Sequence, residues 1–216
     1  MIKNLKFSNT ITSSKRLLQL LLIITILFTN CINAQERKLI YNVIRNGNVI
    51  GKINFIELTQ GRKMFLSFTS DVKTRFILSF CDHSSETAAY ENGVMIYSSF
   101  YQKRNGSVKA NRLTIADGKS YKLVDKDITR LVSHPPIRYN MLLLYINIPK
   151  TVDKVYSDNY QKHLDLKKVD QNKYRLTLPD GNYNYYSYEN GVCSNVLIER
   201  TLFTIQFVLT ENSIKN

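Results

Sequence analysis

Leu178-Pro179-Asp180-Gly181-Asn182-Tyr183-Asn184-Tyr185-Tyr186-Ser187-Tyr188-Glu189-Asn190-Gly191 reads as one strand held between two chain reversals. Asp-Gly and Asn-Gly pairs favour the positive φ angles of tight hairpin turns, whose twist matches that of the strands they join. The residues between them, Asn182 to Tyr188, are aromatic-rich, which is a strand signal. In such a strand Tyr183 and Tyr185 face one way, and Tyr186 and Tyr188 the other. The same punctuation recurs upstream at Asn46-Gly47, Asn92-Gly93, Asn105-Gly106 and Asp117-Gly118, so six of the eight glycines mark reversals.

Between these turns lie stretches with period-two alternation or β-branched and aromatic enrichment: Leu39 to Arg45, Val49 to Thr59, Lys63 to Val72, Val94 to Lys103, Tyr174 to Leu178, Val192 to Glu199 and Leu202 to Leu209. Met64, Leu66, Phe68 and Val72 share one face, opposite Ser67, Thr69 and Asp71. Phe203, Ile205, Phe207 and Leu209 likewise share a face in the last stretch. The expected fold is therefore mainly all-β, a single antiparallel meander curled into a barrel or half-barrel, since curling removes exposed edges. Tyr90-Glu91-Asn92-Gly93-Val94 recurs as Tyr188-Glu189-Asn190-Gly191-Val192. Either a hairpin is duplicated or one turn solution is used twice, and the shared turn chemistry favours the second.

One segment breaks the rhythm. Pro135-Pro136 ends a strand, and an apolar dozen from Ile137 to Ile148 follows, closed by Pro149. Its period does not separate a buried strand from a helix, but its leucines and methionine favour one short helix near 137–148 that plugs or caps the sheet.

The chain has 216 residues, 44% of them apolar and 22% charged, with 4 prolines, which excludes disorder and collagen-like structure. Residues 1–34 read as a signal peptide: a basic stretch, the apolar run Leu17 to Phe28, then Ile32-Asn33-Ala34. A run of that length is too short for a membrane span. Cleavage near Ala34 leaves a single antiparallel β domain at 35–216, exported to the periplasm or beyond. Anchoring as a lipoprotein through Cys31 is the rival, weakened by the poor match of Phe28-Thr29-Asn30. The signal holds four bases, Lys3, Lys6, Lys15 and Arg16, and no acid, so the remainder carries a formal charge of +9 rather than +13.

Five segments resemble a family of secreted bacterial proteins catalogued as domain of unknown function 6134, found mostly in Bacteroidota. They are Val72-Lys73-Thr74-Arg75-Phe76, Tyr139-Asn140-Met141-Leu142, Val155-Tyr156-Ser157-Asp158-Asn159, Leu178 to Tyr186, and Glu189-Asn190-Gly191. The resemblance spans nearly all of the chain after the signal and implies no activity and no functional residue. The family is similar in length and strand pattern to envelope β-proteins with half-barrel folds, which is an analogy of fold.

Cys81-Asp82-His83 with Glu86 is the densest set of reactive residue types. On a strand Cys81 and His83 share a side that Asp82 does not, so the set lacks the convergence that nucleophilic or metal chemistry needs. Cys81 and Cys193 are each small buried apolar side chains, or a disulfide in an oxidising envelope. His83, His134 and His163 have no metal-ligand spacing, and neither a phosphate-binding loop nor a nucleophile elbow is present, so the sequence predicts no metal and no cofactor. An enzyme would need Asp158, Asp165, Asp180 or a histidine to converge in a cleft. Tyr174, Tyr183, Tyr185, Tyr186 and Tyr188 either line a ligand cavity or pair across strands to stabilise the sheet. Lys103, Arg104, Lys109 and Arg112 surround one turn as a basic patch for anionic headgroups or glycan, or as solvated strand faces. Export and the lack of a recognition motif exclude nucleic acid.

The expected function is non-enzymatic binding of a lipid-like or hydrophobic ligand in the β cavity, with peripheral membrane contact at most. The alternative is a structural or interaction module with a filled core that binds an envelope protein or glycan.

Overall fold

The computed structural model describes residues 34–75, 79–201 and 203–215. The expected signal segment and Cys31 lie outside these residues, apart from Ala34. Fourteen strands form one sheet: β1 (Ala34–Arg45), β2 (Asn48–Gln60), β3 (Lys63–Arg75), β4 (Ser79–Glu91), β5 (Val94–Arg104), β6 (Ser107–Asp117), β7 (Ser120–Asp125), β8 (Ile128–Ser133), β9 (Lys154–Ser157), β10 (Lys162–Asp170), β11 (Lys173–Thr177), β12 (Tyr183–Glu189), β13 (Val192–Arg200) and β14 (Phe203–Lys215). Every pairing between these strands is antiparallel, and the order is β8-β7-β6-β5-β4-β3-β2-β1-β14-β13-β12-β11-β10-β9. Two meanders therefore meet at the β1–β14 ladder, where Tyr41 pairs with Leu209 and Val43 with Phe207.

The turn chemistry works as expected. At Asn190-Gly191 both central residues take positive φ, 51° and 83°, and the three other Asn-Gly pairs do the same, as two-residue hairpin turns require. Gly51 serves another purpose. A Cβ there would lie 2.3 Å from the Asp71 carbonyl oxygen, so a side chain at this position would push β2 away from β3.

Alternation puts one row of each strand inside. Leu39, Tyr41 and Val43 of β1, Ile53 and Phe55 of β2, Tyr174 and Leu176 of β11, and Tyr186 and Tyr188 of β12 are buried in a single core. Transfer of such side chains from water, roughly 2 kcal/mol each, is the main driving force for curling.

The sheet does not close. β8 and β9 are its two edges, so of the two expected shapes the half-barrel is the one formed. Side chains bridge the gap in place of a ladder. Gln161 Nε2 donates to the carbonyls of Leu113 (2.9 Å) and Val124 (3.1 Å), and Arg112 Nη1 donates to Asn159 Oδ1 (2.7 Å). Thr114 and Tyr156 hydroxyls meet at 3.0 Å.

The chain between the two edges supplies the plug, and here the helix expected near 137–148 is corrected. Only Met141–Tyr145 is helical, as a single 3-10 turn. Its neighbours are drawn into wall bonds: the Met95 amide donates to the Ile137 carbonyl (2.8 Å) and the Tyr156 amide to that of Tyr139 (2.9 Å). A helix starting at Ile137 would have to break both. Leu142, Leu143, Leu144 and Tyr145 are buried, as an all-round apolar turn must be. The Tyr145 ring lies 5.5 Å from Tyr41, 5.5 Å from Phe55, 5.4 Å from Phe68 and 6.3 Å from Tyr186, centroid to centroid.

The repeated Tyr-Glu-Asn-Gly-Val segments hold this plug. Each hairpin carries a register shift just before its tyrosine, Ala89/Tyr90 in one and Ser187/Tyr188 in the other. Tyr90 Oη accepts from the Asn140 amide (3.2 Å) at the start of the turn, and Tyr188 Oη donates to the Leu144 carbonyl (2.9 Å) near its end.

Candidate ligand-binding site

Where β1, β3 and β5 end and β2, β4 and β14 begin, the plug does not reach, and a cavity of about 260 Å³ remains. Its apolar wall comes from the inner rows of these strands: Ile50, Val72, Phe80, Phe203 and Ile205, with Thr74. Among the described residues the charged side chains in this wall are Arg45 and Arg104. Each guanidinium lies over an aromatic ring, Arg45 at 5.2 Å from the Phe203 centroid and Arg104 at 5.6 Å from that of Phe80. Arg104 Nε also donates to Asp82 Oδ1 (2.8 Å), and Gln102 Nε2 lies 3.1 Å from both oxygens of that carboxylate. Stacking and ion pairing together fix the Arg104 fork at the cavity wall.

Of the expected basic patch, Arg104 is exposed but held at the cavity wall by Phe80 and Asp82. Lys103 and Lys109 are exposed, whereas Arg112 is turned to the gap, where its Nε sits 3.1 Å from Asp125. Two of the four bases are thus engaged by acids, Arg104 by Asp82 and Arg112 by Asp125.

The tyrosine cluster divides in the same way. Tyr174, Tyr186 and Tyr188 are buried, with the Tyr174 and Tyr188 rings edge to face at 5.7 Å. They pack the core. Tyr183 and Tyr185 lie on the outer face, with Arg175 over the first ring at 4.6 Å and Lys173 over the second at 5.0 Å.

Of the Cys81 set, alternation sends Cys81 and His83 outward, where His83 Nδ1 meets Asp71 Oδ1 at 2.8 Å. Both cysteines are free, which corrects the expected alternative of a disulfide. Cys81 is exposed on β4 and Cys193 buried on β13, and four strands separate them in the sheet. Burial pushes the Cys193 thiol up to about 12.

Glu86 faces inward, and its partner is Asp158, just beyond β9. Asp158 accepts from the Ser98 hydroxyl, from Asn140 Nδ2 (2.9 Å) and from the carboxyl of Glu86. Burial first, then the Asp158 charge, holds Glu86 well above the ordinary glutamate range. Burial also raises Asp158, against the hydrogen bonds it accepts. One proton is shared between two carboxyls that cannot both ionise in a dry interior. Sequence reasoning names both residues but not the pair, because they meet only through the gap. The cavity beside Arg45 has neither in its wall. Asp165 binds Lys154 at the surface (3.0 Å), and Asp180 accepts from the Asn182 amide (3.1 Å) in its turn.

His134 and His163 do converge. Nε2 of the first lies 3.2 Å from Nδ1 of the second, in the walls of a cavity of about 140 Å³ by Tyr121 and Tyr156. Burial, then His134 and Lys154, lower the His163 pKa. Among the described residues no group of three His, Cys, Asp or Glu side chains is placed to hold a metal ion.

Comparison with solved structures finds a beta-barrel-like protein of domain of unknown function DUF1849 from Brucella abortus, at a TM-score of 0.54 and 9% identity, covering 86% of this chain and 100% of that one. At that identity the likeness is one of fold alone. No curated protein matches the chain. Residues 41–210, from the first strand to the last, match the family described as Domain of unknown function (DUF6134), and the chain belongs to that family.

Proposed function

We propose that the chain is an exported, non-enzymatic envelope protein that holds the apolar part of a lipid-like ligand in the cavity beside Arg45 and Arg104. The observation that carries this reading is an apolar volume of about 260 Å³ at the end of the sheet that the plug does not reach. Ligand sites are typically concave and apolar with a few placed polar groups, and run from about 300 Å³ upward. This cavity therefore suits a short acyl segment rather than a whole lipid. Glu86 and Asp158, the one convergent acid pair with raised pKa values, sit outside its wall, so the reading assigns no chemistry to the cavity.

The test is native mass spectrometry of the protein purified from its own envelope, before and after organic extraction. The expected result is an apolar adduct that extraction removes. A chain of bare polypeptide mass in both spectra would reject the reading.

The filled centre favours a second reading, a scaffold whose outer face meets an envelope protein or glycan. Tyr183 and Tyr185, each under a cation, form a surface suited to it. Crosslinking in whole cells would then capture a stoichiometric partner, lost when both tyrosines are changed to serine.

A further inference from the structure

We infer that the cavity beside Arg45 selects an amphiphile with an anionic head, a carboxylate or phosphate, whose apolar tail lies against Val72, Phe80 and Ile205. The inference rests on the reading of this cavity as a ligand site and adds the charge of the ligand. Both charged side chains of the wall are guanidinium groups, and no acid faces the cavity from the described residues. Asp82 is bonded to Arg104 Nε and Gln102 and is not among the residues of the wall. That bond uses one edge of the Arg104 fork. Its terminal amino groups remain to meet a ligand oxygen, and a guanidinium binds carboxylate and phosphate with two parallel bonds.

The aromatic contacts make the arrangement specific. Arg45 and Arg104 come from strands four places apart in the sheet, yet each is stacked on a ring that also lines the cavity. Phe80 and Phe203 thus serve twice, as apolar wall for a tail and as platform for a cation. A cation held by stacking loses little side-chain freedom when an anion arrives. A neutral ligand of the same length would fill the volume and give the terminal amino groups of Arg104 no charged oxygen to meet. A cationic one would be repelled.

The experiment compares three ligands of one chain length, decanoate, decyl phosphate and decanol, by competition against a fluorescent fatty acid on the delipidated protein. Both anions are expected to bind about tenfold or more tightly than the alcohol, a difference that shrinks in high salt and in Arg45→Gln and Arg104→Gln. Decanoate and decyl phosphate differ in charge, so their order identifies which head the site prefers. Decanol binding as tightly as both anions would overturn the inference and leave the cavity reading intact. No binding by any of the three would reject the cavity reading itself. The comparison on the unaltered protein needs no variant to fold, and the variants are checked by near-ultraviolet circular dichroism of the buried tyrosines.

Discussion

The Glu86 carboxyl is hydrogen-bonded to Asp158, and through that contact the wall strand β4 is tied to the end of edge strand β9. Asp158 also holds Ser98 of β5 and Asn140 at the head of the plug. One buried acid therefore joins two wall strands, the plug and an edge strand across the place where the sheet fails to close.

The first prediction concerns pH. Glu86 has its folded pKa raised above the ordinary 4.5, so above that value the folded chain keeps a proton that the unfolded chain has lost. Stability then falls as pH rises. Glu86→Gln keeps a donor toward Asp158 and removes the titration. Urea midpoints between about pH 5 and about pH 8.5 should fall for the parent chain and stay flatter for the variant, which should be the more stable at the upper end. Equal slopes would show that the pair does not share a proton.

Asp158→Asn should be costly where Glu86→Gln is not. An amide in place of the carboxylate sets an N–H group against one of three donors, and the loss should be about 2–4 kcal/mol by denaturant unfolding. A loss below about 1 kcal/mol would mean that the cluster contributes little to closing the gap.

Plug truncation is a separate test. Leu144 is fully buried, and Leu144→Ala should cost about 3 kcal/mol through a cavity that the surrounding rings cannot fill. Tyr188→Phe removes the hydroxyl bonded to the Leu144 carbonyl and should cost about 1 kcal/mol. The two changes touch the same turn, so their effects should not add.

Gly51→Ala places a methyl group 2.3 Å from the Asp71 carbonyl. The atoms it meets, in Asp71 and Val72, all belong to backbone, so relief requires strand separation, with an expected loss of about 2–3 kcal/mol. A thermal midpoint unchanged from the parent chain would show that the ladder can yield there.

The cysteines should differ in reactivity. Cys81 is exposed, whereas Cys193 is buried with its thiol raised to about 12. Iodoacetamide at neutral pH should label Cys81 in the native chain and Cys193 only after unfolding, read by peptide mass.

Much of this architecture is legible along the chain because turns and alternation are local properties. Asn46-Gly47, Asn92-Gly93, Asn105-Gly106 and Asn190-Gly191 reverse the chain wherever they occur, since positive φ is a preference of the pair itself. The facing of Cys81 away from Asp82 follows from the pleat alone. The helix expected near 137–148 is cut to Met141–Tyr145 because the backbone before it is bonded to Met95 and Tyr156, residues distant in sequence. The tyrosine cluster is visible as composition, but its division between core and outer face depends on which side of β12 the sheet curls toward.

Composition and spacing alone determine that this polypeptide is a succession of hairpins with one apolar interruption, because each turn and each strand face is decided within a few residues. Only the tertiary structure decides that Arg45 and Arg104 share a cavity, that Glu86 meets Asp158, and that the sheet stays open where the plug enters. Those relationships join positions tens of residues apart through the curvature of the sheet, and curvature comes from burying the whole inner row at once.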